Sequence, residues 1–359
     1  MFPPWGGAAQ LSQSSAWFSD CWIVAPLSVG FGSGRFCFSG RGVSAFARLR
    51  EGGWRAVGAI AALVGLFLCI PPGTVQAAVV TDMLGRPVAI PERPLRLVSL
   101  APSITETIFA LGRGGWLVGV TAVCDFPAEA RALPKVGGIA APSLEQIVRL
   151  RPDLVFTTAE GNARDLLDQL ERLGLATFAL RPDGYGGVVQ SILAVGRGLA
   201  ADPAARRVVD DMERSVRAVR ERVAGRPRPR VLYLIWADPL IAAGAGTYLD
   251  DLLGLAGGRN IVWERTGSYP RLNWEHVVDR APEVILLADH REDSDRAATG
   301  SGNMPAEWRA WRAVPAIRMG RVLAVPSNTI LRPGPRVGEG LARLARAIHP
   351  EAFAPREVK

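Results

Sequence analysis

One helix–strand phrase occurs twice in this chain, and the repetition limits what the chain can fold into. Residues 143–156 read SLEQIVRLRPDLVF, and residues 273–286 read NWEHVVDRAPEVIL. Glu145, Val148 and Pro152 recur as Glu275, Val278 and Pro282. Similar pairs lie between them: Ser143/Asn273, Ile147/Val277, Asp153/Glu283, Leu154/Val284 and Val155/Ile285. Each copy opens on a residue able to cap a helix and sets a carboxylate in the first turn, where the peptide dipoles favour negative charge. A proline then stops the helix and an apolar run of strand length follows. Two copies of one unit predict two lobes of like construction with a cleft between them.

The surrounding pattern is α/β. VVTDMLGRPVAIP alternates as a hairpin around Leu84-Gly85. Strands are expected at 95–100, 117–120, 154–158 and 177–180, with helices at 145–151 and 162–173 between the later ones. Ser103 and Glu106 have capping-box spacing at the start of a further helix that Gly112 closes. Alternation of this kind predicts mostly parallel sheets covered on both faces. From 188 to about 224 the texture is continuously helical, with Asp202-Pro203 as a cap and first turn. Its second piece, about 22 residues, would be on the order of 33 Å long, enough to cross between lobes as a rigid link. Alternation then resumes, with strands at 231–235, 284–288 and 322–325 and helices at 247–256, 305–312 and 337–347. The expected organisation is an N-terminal lobe over 78–187, a linking helix over 188–226 and a C-terminal lobe over 227–359.

Residues 1–77 read as an address. Arg48, Arg50 and Arg55 precede the uncharged stretch Ala56–Ile70, then Pro71-Pro72-Gly73 and Val75-Gln76-Ala77. This is the layout of a secretory signal peptide cleaved after Ala77. The apolar stretch is shorter than the roughly 20 residues that span a bilayer. A lipid anchor at Cys69 is disfavoured by bulky Leu68. Residues 1–42 lack periodicity and are expected to be untranslated, with a start near Val43, or disordered.

The formal charge is +8, and beyond Ala77 it falls to 37 basic against 32 acidic residues without a basic stripe. Nucleic acid is therefore not an expected partner. Of four cysteines, Cys21, Cys37 and Cys69 fall within 1–77, leaving Cys124 without an internal partner. It is read as a small buried hydrophobe rather than a nucleophile or metal ligand. His276, His290 and His349 have no metal-ligand spacing, and His290 sits in a charged loop, so neither a resident metal nor a cofactor is expected. No serine or cysteine triad and no phosphate-binding glycine loop is recognisable.

The order strand–LAPSITE–helix, VGVTAVCDFP, SLEQI…RPDLV, a long helix and a second such lobe resembles the helical-backbone substrate-binding proteins of ABC importers. Over residues 94–348 the resemblance is greatest to cobalamin-binding members, with ferric-siderophore and haem receptors as relatives. It implies a monomeric periplasmic protein, not an enzyme, that captures a cobalamin-like corrinoid and hands it to a membrane permease. By position, Glu145 and Glu275 would dock on permease arginines, and two equivalent carboxylates on helix N-termini suit a two-point charged contact.

The ligand is expected between the lobes, on loops after strand ends. From the first lobe these are Ser103, Val123, Asp125 and Ile139; from the second, Trp236, Tyr269, Asn328 and Arg332. Trp236 and Tyr269 would be flat platforms, with Tyr269 the axial group if the ligand were haem, and Arg332 would bond the ligand rim. The chain departs from the cobalamin pattern with Val123 in place of a Tyr, Ile139 in place of a Trp and Asn328 in place of an acid. The corrinoid therefore does not follow from the resemblance alone, and an iron chelate (ferric siderophore or haem) stays the alternative. An exported α/β hydrolase is the alternative of another class, and it lacks a visible nucleophile–base pair.

Overall fold

The computed structural model describes residues 78–91, 96–264, 267–290 and 306–354. Residues 1–77, read above as an extension and a signal peptide, and with them three of the four cysteines, lie outside the described residues.

Strands β1 (Ala78–Thr81) and β2 (Pro87–Ile90) form the expected antiparallel hairpin. A four-stranded sheet follows, built from β3 (Leu97–Ser99), β4 (Leu117–Val120), β5 (Leu154–Thr158) and β6 (Thr177–Leu180). Its order is β4-β3-β5-β6 and every pairing is parallel. Helices α1 (Pro102–Ala110), α2 (Leu144–Arg149) and α3 (Arg164–Arg172) lie in the connections. Two long helices come next, α4 (Gly184–Gly198) and α5 (Asp202–Val223).

The second sheet contains β7 (Arg230–Ala237), β8 (Leu240–Ala242), β9 (Arg259–Asn260), β10 (Val284–Asp289) and β11 (Val322–Pro326). Its order is β11-β10-β7-β8 with β9 also on β7, and only β8 runs antiparallel. Its helices are α6 (Tyr248–Leu255), α7 (Trp274–Arg280), α8 (Pro315–Arg318), α9 (Ser327–Ile330), α10 (Val337–Ile348) and α11 (Pro350–Phe353). Central strands such as β5 and the first four residues of β10 are buried throughout. That burial explains why they read as unbroken apolar runs.

The repeat is structural in detail. In both copies the cap forms: Ser143 Oγ accepts from Gln146 N at 3.3 Å, and Asn273 Oδ1 accepts from His276 N at 2.9 Å. The residues before the two prolines, Arg151 and Ala281, take left-handed φ values of 46° and 45°. A following proline disfavours the right-handed region, so each helix ends there. The match reaches further back than the sequence phrase. Arg96 N donates to Asp153 Oδ2 at 2.9 Å, and Arg230 N donates to Glu283 Oε2 at 2.8 Å. The same arginines donate through Nε to the carbonyls of Arg151 (3.1 Å) and Ala281 (2.9 Å).

Helix α5 is the strut. Ala205, Val209, Met212, Val216, Val219 and Val223 recur at spacings of three and four and are all buried. Each of the Val and Met side chains, when fully buried, contributes about 1.5–3 kcal/mol relative to exposure. The seam packs on α4 and on α10. Two glycines allow the approach: a Cβ at Gly196 would lie 2.5 Å from Ala205 Cβ, and one at Gly338 would lie 2.5 Å from Ser215 Cβ.

Several local expectations are corrected. Helix α1 has Ala101 as its N-cap and Pro102 in its first turn, with no side-chain cap, so Ser103 and Glu106 form no capping box. Glu106 turns instead to arginines of the second lobe, whose charged donors outcompete a backbone N–H. Asp202 lies inside α5 rather than capping it. The helix expected at 305–312 is a 3₁₀ turn, Ala306–Ala310, anchored by buried Trp308. Asn328, expected on a loop, lies instead in the helical turn α9.

Candidate functional site

The carboxyl ends of strands from both sheets open on one cleft of about 480 Å³. From the first lobe, Ser103 follows β3, Val123 and Asp125 follow β4, and Ile139 stands on the next loop. From the second lobe come Tyr269, Asn328 and Arg332. Seven of the eight residues singled out from the sequence thus meet here. Trp236 does not line the cleft. It is 53% exposed, so it is no core residue, and it stacks on His290, which does line it.

The lobes are joined beside the cleft by buried charge. The Glu106 side chain is 2% exposed and takes three hydrogen bonds from the second lobe. Arg336 donates through Nε to Oε2 at 2.9 Å and through Nη2 to Oε1 at 2.7 Å, and Arg332 Nη1 donates to Oε1 at 3.1 Å. Arg332 Nη1 also reaches Asp125 Oδ1 at 2.5 Å, and its Nη2 donates to the Val123 carbonyl at 3.2 Å. The Arg336 guanidinium lies 3.9 Å over the Phe126 ring. Burial alone would raise the Asp125 carboxyl, but the Arg332 hydrogen bond and charge outweigh it and hold Asp125 below the ordinary carboxylate range. Two guanidiniums face Glu106 and Asp125, and the exposed carboxylate of Glu339 lies 3.9 Å from Arg336 as a third partner. Arg332 is therefore first a clamp between lobes, and its charge is matched before any ligand arrives.

Three residues matter that sequence reasoning passed over. Asn162 accepts from Thr158 N at 2.8 Å and donates to the carbonyls of Ile139 (2.7 Å) and Leu100 (3.3 Å). One amide thus fixes three segments of the cleft wall. Beside it, a Cβ at Gly161 would come within 2.7 Å of Ile139 Cγ2, so glycine lets that wall close up. Glu160 lines the cleft although solvent reaches it. Loss of hydration, the Asp183 charge and a hydrogen bond shared with Asp183 push its carboxyl up to about 7, against the opposing Arg181. Burial and the Glu160 charge in turn push the Tyr269 phenol up to about 12. Position after a strand's carboxyl end was the available signal for Glu160 and Asn162, as it was for Ser103. His290 had the same signal, since it directly follows β10.

Cys124 is buried, with Sγ 3.2 Å from Thr105 Oγ1 and 3.1 Å from Thr121 Oγ1. Its role is packing under the β4 loop, as expected. Glu145 and Glu275 are exposed in the first turns of α2 and α7, and Glu145 makes a solvent-facing pair with Arg149 at 2.9 Å.

With this geometry in view, comparison with known proteins gives a consistent result. The family model of periplasmic binding proteins matches residues 97–329, from β3 into α9. The vitamin B12-binding protein of Vibrio cholerae is 28% identical over 242 residues, covering 67% of this chain and 84% of that protein. An ABC transporter substrate-binding lipoprotein of Bacillus subtilis, YvrC, is 27% identical over 282 residues, covering 76% of this chain and 86% of its own. Among solved structures, the periplasmic haem-binding protein RhuT from Roseiflexus sp. RS-1 superposes with a TM-score of 0.62 at 28% identity. It covers 72% of this chain and 99% of that one. The two-lobed α/β fold, with its mostly parallel sheets, matches that of these proteins. The chain belongs to the periplasmic binding protein family, the substrate-binding components of ABC importers.

Proposed function

We propose that this protein captures a corrinoid in the interlobe cleft and delivers it to an ABC permease that docks on Glu145 and Glu275. The supporting observation is the polarity of the cleft. Arg332, the one permanent cation among the described residues lining it, already faces Asp125 and Glu106, while Asn328 Oδ1 is buried with no partner there. An orphaned buried acceptor calls for a donor. The primary amides around a corrinoid ring supply N–H groups, whereas the propionates of haem do not. An anion would also meet Glu160 without a free cation to balance it. The curated relative in Vibrio cholerae binds vitamin B12, which favours the same ligand.

Export with cleavage after Ala77 completes the reading, and N-terminal sequencing of the secreted protein checks it. No catalysis is proposed: the buried thiol of Cys124 is held between Thr105 and Thr121. The decisive experiment is a tryptophan-quenching titration against cyanocobalamin, cobinamide, haemin and a ferric-siderophore panel. Saturable quenching by a corrinoid at low micromolar concentration or below is expected. Saturation by an iron chelate alone would overturn the corrinoid assignment and leave the family and docking reading in place.

A further inference from the structure

The two copies of the repeat differ in charge. Residues 143–156 carry two acids and two arginines, and residues 273–286 carry three acids and one arginine. The main exchange lies four residues beyond the docking carboxylate, where Arg149 ends α2 and Asp279 takes the matching place on α7. Residues four apart on a helix are neighbours on one face. Arg149 Nη2 accordingly reaches Glu145 Oε1 at 2.9 Å, with the two side chains 76% and 80% exposed. Glu275 has a second carboxylate at this place instead, and the Asp279 side chain is 80% exposed.

The basic residue that could compensate the second copy is turned away. The Arg280 side chain is 15% exposed, and its guanidinium lies 3.5 Å over the Trp263 ring. Its fork donates to Glu264, and to the Ile261 carbonyl at 3.4 Å. Asp279 meets it through Nε, at 3.4 Å. In the first copy Arg151, aligned with Ala281, adds a further exposed cation.

We infer that the contact with the permease is polar: the second lobe, through Glu275 and Asp279, grips a cationic patch of the permease, and Glu145 engages only by exchanging Arg149 for a permease cation. The inference deepens the proposed docking on Glu145 and Glu275 and rests on that reading. Side chains four apart on a helix have Cβ atoms about 5–6 Å apart, within the screening length of about 8 Å at physiological ionic strength. Glu275 and Asp279 therefore attract an approaching cation as one doubly charged group. Glu145 and Arg149 cancel over the same distance, and the arginine repels a cationic partner. An exposed pair of this kind is held by a preference of only about twofold. A permease arginine can replace Arg149, but it gains less there than at the second lobe. Complementary potential steers encounter and fixes register, so the second lobe sets the orientation of the protein on the permease.

The test exchanges the two residues that make the difference. The exported protein is loaded with radiolabelled cyanocobalamin and supplied to ATP-loaded, right-side-out membrane vesicles from a strain lacking it. The protein concentration giving half-maximal uptake is read for each variant. Asp279→Arg, which gives the second copy the pairing of the first, should raise that concentration about tenfold or more, because like charges brought together across a contact oppose it. Asp279→Asn should raise it less. Arg149→Gln should lower it by about twofold, and Arg149→Asp further. The neutral variants keep the test decisive where a reversed charge unfolds its helix. Unchanged half-saturation in Asp279→Asn and Arg149→Gln, or a loss in Arg149→Gln, overturns the polarity. Docking on the two glutamates then still stands if Glu145→Arg with Glu275→Arg abolishes uptake. If that double variant transports as wild type does, docking and polarity fall together. A wild type that drives no uptake of cyanocobalamin overturns the delivery reading and the inference with it.

Discussion

Glu106 on α1 and Arg336 just before α10 are joined by two hydrogen bonds, at 2.9 and 2.7 Å, across the boundary between the lobes. The carboxylate is almost entirely removed from water, and it also holds Arg332. Removing one member of a buried ion pair leaves its partners charged in a poorly solvating site, which costs about 3–5 kcal/mol. Glu106→Gln is therefore expected to destabilise the protein by that amount in urea unfolding. Arg336→Met alone should cost a similar amount, and the double variant less than the sum of the two. Additive losses would mean that the pair is not energetically coupled.

Asn162 predicts a different kind of loss. Its amide ties Thr158, Ile139 and Leu100 together, so Asn162→Ala leaves a partly buried N–H and two carbonyls without a partner. Each such group costs about 1–3 kcal/mol when water cannot replace the bond. A stability loss of about 2 kcal/mol is expected, together with weaker binding of whichever ligand saturates the wild type, because the loop carrying Ile139 is released. Ligand affinity equal to wild type would show that this wall does not shape the site.

These two devices were not legible in the sequence, for a physical reason. Glu106 and Arg336 are 230 residues apart, and Asn162 acts on carbonyls 23 and 62 residues away. No local periodicity encodes such pairs. The repeat was legible because a cap, a first-turn carboxylate and a proline act within one helix and leave their spacing in the chain. Even so, the copies share more than the phrase shows. Arg96 and Arg230 perform one task at the start of β3 and β7, but both precede their phrase by many residues, at different intervals. Local signals also misled. Ser103 and Glu106 have the spacing of a capping box, yet the arginines of the other lobe decide where Glu106 points.

Glu160 gives a pH dependence. Its carboxyl rises from an ordinary value of 4.5 to about 7, through lost hydration and then Asp183. A group that binds its proton more tightly in the folded state stabilises the fold below its unfolded value. That contribution is lost as pH rises from about 4.5 through about 7. Tyr269 across the cleft, Arg181 and Asp183 all face this group. Glu160→Gln, which stays neutral, is expected to flatten the dependence of melting temperature on pH over this window. Parallel profiles for variant and wild type would place the titration elsewhere.

The docking assignment yields the last prediction. Glu145 and Glu275 occupy equivalent first turns and both side chains face solvent. Reversing a first-turn charge opposes the helix dipole at a cost of about 0.3–1 kcal/mol for each helix. The exposed Glu145–Arg149 pair is worth at most about 0.5 kcal/mol more. The double variant Glu145→Arg with Glu275→Arg should therefore fold, and its ligand titration should match wild type, because neither residue lines the cleft. Charge at a protein–protein contact acts on encounter and orientation, and like charges brought together cost several kcal/mol. Uptake of the radiolabelled ligand by cells that depend on this protein should then fall to the level of a deletion strain, with each single variant between. If uptake by the double variant equals wild type while the ligand still binds, the two carboxylates are helix stabilisers and the permease reads some other surface.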